Sequence, residues 1–388
     1  MMGFIHTHKK IFCNNSGIVL LVTIAVISVL LTVALHLARI TGKSVIATGN
    51  ESDDFIAREM AISGIHLAMA ILADDASKNE IDSVQEDWAN PEKLSDAVTQ
   101  LGFTQGSLSL KITDELGKLQ VNALLKHYPG NELNEDQRSL WENFLSLRIS
   151  TDKSEDQRDP SVIINSLKDW LDSQDDETIT GLSGAESDYY LKLEHPYIAN
   201  NGPVNQISEL LKIKGFTPDL LEIGLDAQGE KTGKKTEDEP ELMGSLQFEN
   251  VFTVYGMTTS GAEAGPKAYA YPGQVNINTA GIEILTALLP RGMEEQAQDL
   301  VNFREEKSED GETFINFLDK GWYERVIEFS DKEKKTFDRM IRYDSNLFKA
   351  ACSSQVNQKS VTVSAYILRE RKKQTNQWGC RVIQLTEE

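Results

Sequence analysis

The residues best suited to chemistry in this 388-residue chain are carboxylates. Asp169-Trp170-Leu171-Asp172-Ser173-Gln174-Asp175-Asp176-Glu177 closes a helical pattern and runs on to Gly184-Ala185-Glu186-Ser187-Asp188-Tyr189-Tyr190. Calcium accepts roughly six to eight oxygens and tolerates irregular loops, so carboxylates clustered this way suit such a site. The segment is not an EF-hand, because the glycine at the sixth position and the glutamate at the twelfth are missing. The alternative is a solvated acidic loop with Trp170 and Tyr190 in the core. His127 and His195 stand alone, without a matched nucleophile and acid, and no enzyme is expected. The cysteines Cys13, Cys352 and Cys380 have no zinc spacing. In an oxidising compartment Cys352 and Cys380, both in strand-like segments, are a candidate disulfide, and two free thiols are the equal alternative.

Another stretch points toward nucleic acid. Gln274 to Ala280, then Ile284-Leu285, Leu289-Pro290-Arg291-Gly292 and Ala297 to Arg304, resembles a helix-hairpin-helix unit of membrane-anchored DNA-uptake receptors. Glu209 to Phe216 is a weaker copy. In DNA-binding versions the hairpin amides meet phosphate. Here Gly292 is followed by Met293-Glu294-Glu295, and the chain carries a net charge of −21, which repels nucleic acid. The hairpins are therefore expected to be packing modules, with no nucleic acid bound.

The elements that must carry these residues follow from periodicity. Ile18 to Leu35 is free of charge and long enough to span a membrane as a helix. Lys9 and Lys10 precede it, which keeps the N-terminus cytoplasmic and the body outside. A cleaved secretory signal is the rival, but Leu35-His36-Leu37-Ala38-Arg39 does not resemble its small-residue cleavage site. Ile56, Met60, Leu67 and Ile71 continue at helical spacing, so one long helix is expected, loosened around Gly42 to Gly49. Ser107 to Ile112 and Leu119 to Val121 alternate about a turn at Asp114 to Lys118 and predict a hairpin. Helical patterns dominate from Asn122 to Tyr343, at Glu135 to Ser146, Ser161 to Leu171, Gln206 to Ile213, Ile282 to Leu289 and Glu294 to Arg304, with a strand-like island at Val251 to Tyr255. Strand periods return at Leu347 to Ser353, Val361 to Leu368 and Cys380 to Leu385. The fold class is α+β: a transmembrane helix packed on an antiparallel sheet, with a large all-helical domain inserted into it.

The junction Ser16-Gly17-Ile18-Val19-Leu20 looks like the leader site of type IV pilins and pseudopilins. That likeness implies cleavage by a prepilin peptidase after Gly17 and N-methylation of Ile18. Val22 stands where most such subunits carry glutamate, as befits a subunit with no neighbour above it. The ordered run Asp114-Glu115-Leu116-Gly117-Lys118-Leu119, Asp169-Trp170-Leu171-Asp172, Gly184-Ala185-Glu186, Tyr189-Tyr190, Pro196-Tyr197, Asn200-Asn201-Gly202-Pro203, Glu209-Leu210 and Asn276-Ile277-Asn278-Thr279-Ala280 resembles the K-type minor pseudopilins of type II secretion. The resemblance implies a leader at 1–17, a membrane segment at 18–38, a pseudopilin helix and first strands at 39–121, an inserted helical domain with hairpin or SAM-like units at 122–343, and closing strands at 344–388. It also implies a place at the tip of a periplasmic pseudopilus anchored in the bacterial inner membrane. Its partners would be I-type and J-type minor pseudopilins and other pseudopilus subunits, and calcium would bind in the head. Oxygen chemistry and loop context select Asp172, Asp175, Asp176 and Glu186 as the ligands.

Overall fold

The computed structural model describes residues 16–149, 159–174, 179–220, 224–225, 231–232, 248–259, 268–372 and 375–387. One unbroken helix, α1 (Ser16–Lys78), opens it and does not loosen at Gly42 or Gly49. Its first half is bare: Ile18 to Leu37 is exposed throughout, in a helix long and apolar enough to cross a membrane. From Ala57 onward one face is buried, at Ala57, Met60, Ala61, Ile65, Ala68 and Leu72. This stripe differs from the expected one, since Ile56, Leu67 and Ile71 are only partly buried. Alanines lead because the helix lies very close to the sheet: a Cβ on Gly64 would stand 2.1 Å from the Cys352 sulfur.

That sheet has four antiparallel strands, β1 (Ser107–Asp114), β2 (Leu347–Val356), β3 (Lys359–Arg371) and β4 (Trp378–Glu387), in that spatial order. Alternate residues Val361, Val363, Ala365 and Ile367 on β3 pack with α1 into one core, as period-two strands require. The short helix α2 (Pro91–Thr99), capped by the Asn90 side chain, closes the core with Leu94 and Val98.

The predicted hairpin does not form. β1 pairs with β2, some 240 residues later in the chain, and Leu119–Gln120 pairs in parallel with Phe252–Thr253. The Asp114 side chain accepts from the Leu116 amide at 2.8 Å and turns the chain out of the sheet. Gly117 then passes so close to Thr279 that a Cβ would lie 2.5 Å from its hydroxyl. Leu119 and Val121 therefore belong to a second core.

This second core fills the region between β1 and β2. Its helices are α3 (Glu135–Arg148), α4 (Pro160–Leu171), α5 (Ile282–Leu288), α6 (Gln296–Glu305) and α7 (Asp331–Met340). Asn134 and Asp159 cap α3 and α4, and Ser330 with Glu333 forms a capping box on α7, which the periodicity reading did not mark. Trp141 stacks on Phe252 at 5.2 Å between ring centres, and Trp322 stacks on Phe303 at 5.5 Å. Gln206 to Ile213 forms a tighter 3₁₀ stretch, Ile207–Lys212, instead of an α-helix.

Cys352 and Cys380 are both free, so the candidate disulfide is not made. They sit on β2 and β4 with β3 between them. Cys352 lies opposite Val363 and Cys380 opposite Arg369, an offset of about 20 Å along the strand. A disulfide needs Cα atoms within about 7 Å.

Candidate metal centre

The helix α4 ends at Leu171, and its last turn aims two carboxylates at the loop that follows. Asp169 and Asp172 are three residues apart and so share a helix face. Glu186 comes back over them at the start of the single turn Ser187–Tyr190. One oxygen from each of the three can be chosen so that all lie within 4.8 Å of one another. Asp169 is fully buried, and Asp172 and Glu186 are nearly so.

Asp169 shapes the pocket. Its carboxylate accepts from the Thr180 amide at 3.1 Å and from the Ala185 amide at 2.9 Å, which folds 180–185 into a cradle. Gly184 is needed there, since a Cβ would sit 2.0 Å from an Asp169 oxygen. Asp172 accepts from the Gln174 amide at 3.1 Å and from Lys168 at 3.2 Å, while Lys168 also reaches the Thr180 hydroxyl at 2.8 Å. Burial pushes the Asp172 carboxyl above its usual value, against the opposing pull of the Gln174 amide and Lys168.

Of the expected ligands, Asp172 and Glu186 are brought together; Asp175 and Asp176 lie outside the described residues. Asp169 was missed as a member, although its spacing from Asp172 on a helix was the available signal. The residues fit a hard divalent cation. Among the described residues the cluster offers three buried carboxylates beside Lys168, so its ligand atoms are all oxygen, with no nitrogen or sulfur ligand to favour zinc.

The hairpin between α5 and α6 is also resolved. Gly292 has φ of 92°, and its amide donates to the Glu294 carboxylate at 2.7 Å. The protein's own acid thus occupies an amide that a phosphate would use. At the other end of the chain, Gly17 and Ile18 lie in the first turn of α1, and Ile18 is exposed.

Residues 117–223, which contain the acidic cradle, match the family described as Type II secretion system (T2SS), protein K. A type II secretion system protein K from Pectobacterium carotovorum subsp. carotovorum is 24% identical, across 76% of this chain and 86% of that protein. In fold, the chain resembles a protein in the crystal structure of the GspK-GspI-GspJ complex from the enterotoxigenic Escherichia coli type 2 secretion system. The TM-score is 0.57 at 17% identity, covering 88% of this chain and 99% of that one. The ordered motifs, the matched domain and the shared architecture agree: residues 117–223 carry the domain of type II secretion system protein K, and the chain is similar to that protein over most of its length.

Proposed function

We propose that this protein is a minor pseudopilin, anchored in the inner membrane, that sits at the tip of a periplasmic pseudopilus, helps to start its assembly and so supports export of folded proteins across the outer membrane. The observation that carries the reading is α1, bare and apolar at one end and built into the sheet at the other. Such a helix leaves one half for the membrane and for neighbouring apolar helices, while its other half holds the head. The inserted domain between β1 and β2 adds bulk that is hard to repeat along a helical array, which suits an end position. Its partners are I-type and J-type minor pseudopilins, in keeping with the complex named for the solved structure of similar fold.

On this reading a prepilin peptidase cuts after Gly17 and Ile18 becomes the methylated N-terminus. Calcium is held by Asp169, Asp172 and Glu186, where it supplies positive charge to a buried acidic pocket. Deleting the gene should abolish exoprotein release while inner-membrane export continues, and undiminished release would overturn the proposal. Mass spectrometry of the mature protein tests the leader: a chain beginning at methylated Ile18 is expected, and a retained leader contradicts it.

A further inference from the structure

Where the inserted domain leaves and rejoins the sheet, six distant stretches of chain bury their polar groups against one another. Asp114, the last residue of β1, uses one carboxylate oxygen to accept from Asn276 at 2.9 Å, the Thr279 hydroxyl at 2.6 Å and the Ser345 hydroxyl at 2.6 Å. Asp82, in the loop after α1, accepts from Arg369 of β3 at 2.6 Å and from the Ser345 amide at 2.7 Å. Its backbone carbonyl accepts from Asn276 at 3.0 Å and Asn278 at 3.2 Å. Asn278 also donates to the Tyr343 carbonyl and accepts from the Trp322 indole at 2.7 Å. Asp82, Asp114, Asn276, Asn278, Ser345 and Arg369 are all buried.

We infer that Asp82, Asp114, Asn276, Ser345 and Arg369 form a clasp that holds the inserted helical domain at one fixed angle to the sheet and the anchor helix. Only two covalent crossings, around 115–118 and 342–346, join the two cores, and a joint of that kind hinges unless something prevents it. Apolar contacts tolerate sliding, but directional bonds among buried groups do not, because a small shift leaves several of them unmade at once. The clasp ties both crossings together and fastens them to the loop after α1. Arg304, buried on α6, holds the same turn from behind by donating to the carbonyls of Ile277 and Ala280. The motif Asn276 to Ala280 thus works with two asparagines on the joint and with Ile277 and Ala280 in the core of the inserted domain.

Hydrogen exchange by mass spectrometry on the full chain in detergent micelles tests it with three variants. Asn276→Asp sets a second carboxylate against Asp114, Thr279→Val removes one donor at nearly constant shape, and Asp114→Asn with Asn276→Asp restores a donor and acceptor pair. In Asn276→Asp, exchange at 114–119, 276–280 and 341–347 should quicken by about tenfold or more, while α3 and the centre of β3 stay protected. Thr279→Val should show a smaller rise at the same places, and the double variant should regain part of the loss. A rise spread evenly through both cores, or none at the joint, overturns the clasp. Should Asn276→Asp fail to fold, Thr279→Val decides alone, and unchanged exchange at the joint in that variant rejects it.

Discussion

The joint at Asp82 and Asp114 and the pocket at Asp169, Asp172 and Glu186 both bury carboxylates, yet they are built oppositely. At the joint Asp82 and Asp114 accept from Asn276, Thr279, Ser345 and Arg369, all far away in the chain, and Arg369 supplies a buried positive charge. In the pocket the lysine described beside the three acids, Lys168, is divided between Asp172 and Thr180. Buried charge that is fully paired holds structure in place, whereas buried charge in excess calls for a cation. Acidity alone does not distinguish a lock from a socket; the origin of the donors does, side chains from distant stretches at the joint and largely nearby backbone amides in the pocket.

The contrast breaks most visibly at Asp114. Asp114→Ala leaves the Asn276, Thr279 and Ser345 donors buried and unmatched, so thermal unfolding of the full chain in micelles should show a loss of about 3 kcal/mol or more. A near-neutral effect would mean that the joint is not fully desolvated. At the pocket the expected change is calcium-dependent. With calcium at about 100 times its Kd the wild type should gain about 2.7 kcal/mol, and Asp172→Asn should lose most of that gain without losing stability in calcium-free buffer. Equal calcium shifts in both proteins would clear Asp172 of the role.

Acid should move the two regions in opposite directions. At the joint, Asp82 is pushed up to about 6, by burial more than Arg369 pulls it down, and Glu86 to about 8, by burial and then by Asp75. The charged groups facing them are Arg369, Asp75, Asp114 and each other. Folded values above the unfolded ones mean a contribution that is full below about pH 4 and lost as pH rises through about 6 and then about 8. Exchange at 82–86, corrected for its intrinsic rate, should therefore slow between pH 8 and 5.5, and Glu86→Gln should flatten the upper part of that response. Calcium affinity should instead fall in acid, because Asp172 must be ionised to bind and burial has raised its proton affinity. If both regions tightened in acid, the distinction between them would fail. The smallest effect belongs to the hairpin. Glu294→Ala frees the exposed Gly292 amide to water and should change stability by less than about 0.5 kcal/mol.

Periodicity revealed α1, β2, β3, β4 and most inserted helices, because each is a local pattern of apolar residues. It failed at 107–121, where alternation on both sides of a turn is also what two unrelated strands look like. The deciding contacts, such as Glu115 to Leu347 through the backbone, come from far along the chain. The buried stripe on α1 is turned by about one residue from the one that the large apolar residues Ile56 and Ile71 mark, because close approach to the sheet favours Ala57 and Ala68. Asp172 and Glu186 were legible as clustered acid in a loop. Asp169 is less legible, since its three-residue spacing from Asp172 is equally that of two acids on a wet helix face. The asparagines at 276 and 278 are visible as a motif, but Asn276 meets Asp114 162 residues earlier and Asn278 meets the Asp82 carbonyl 196 residues earlier.

At 63 residues without a break, α1 is about 95 Å long. On the anchoring proposed above it is a lever held in the bilayer: tilting its base by about 10° would sweep its far end sideways by about 16 Å, so a slight re-packing among apolar helices would be magnified into a large excursion of the head.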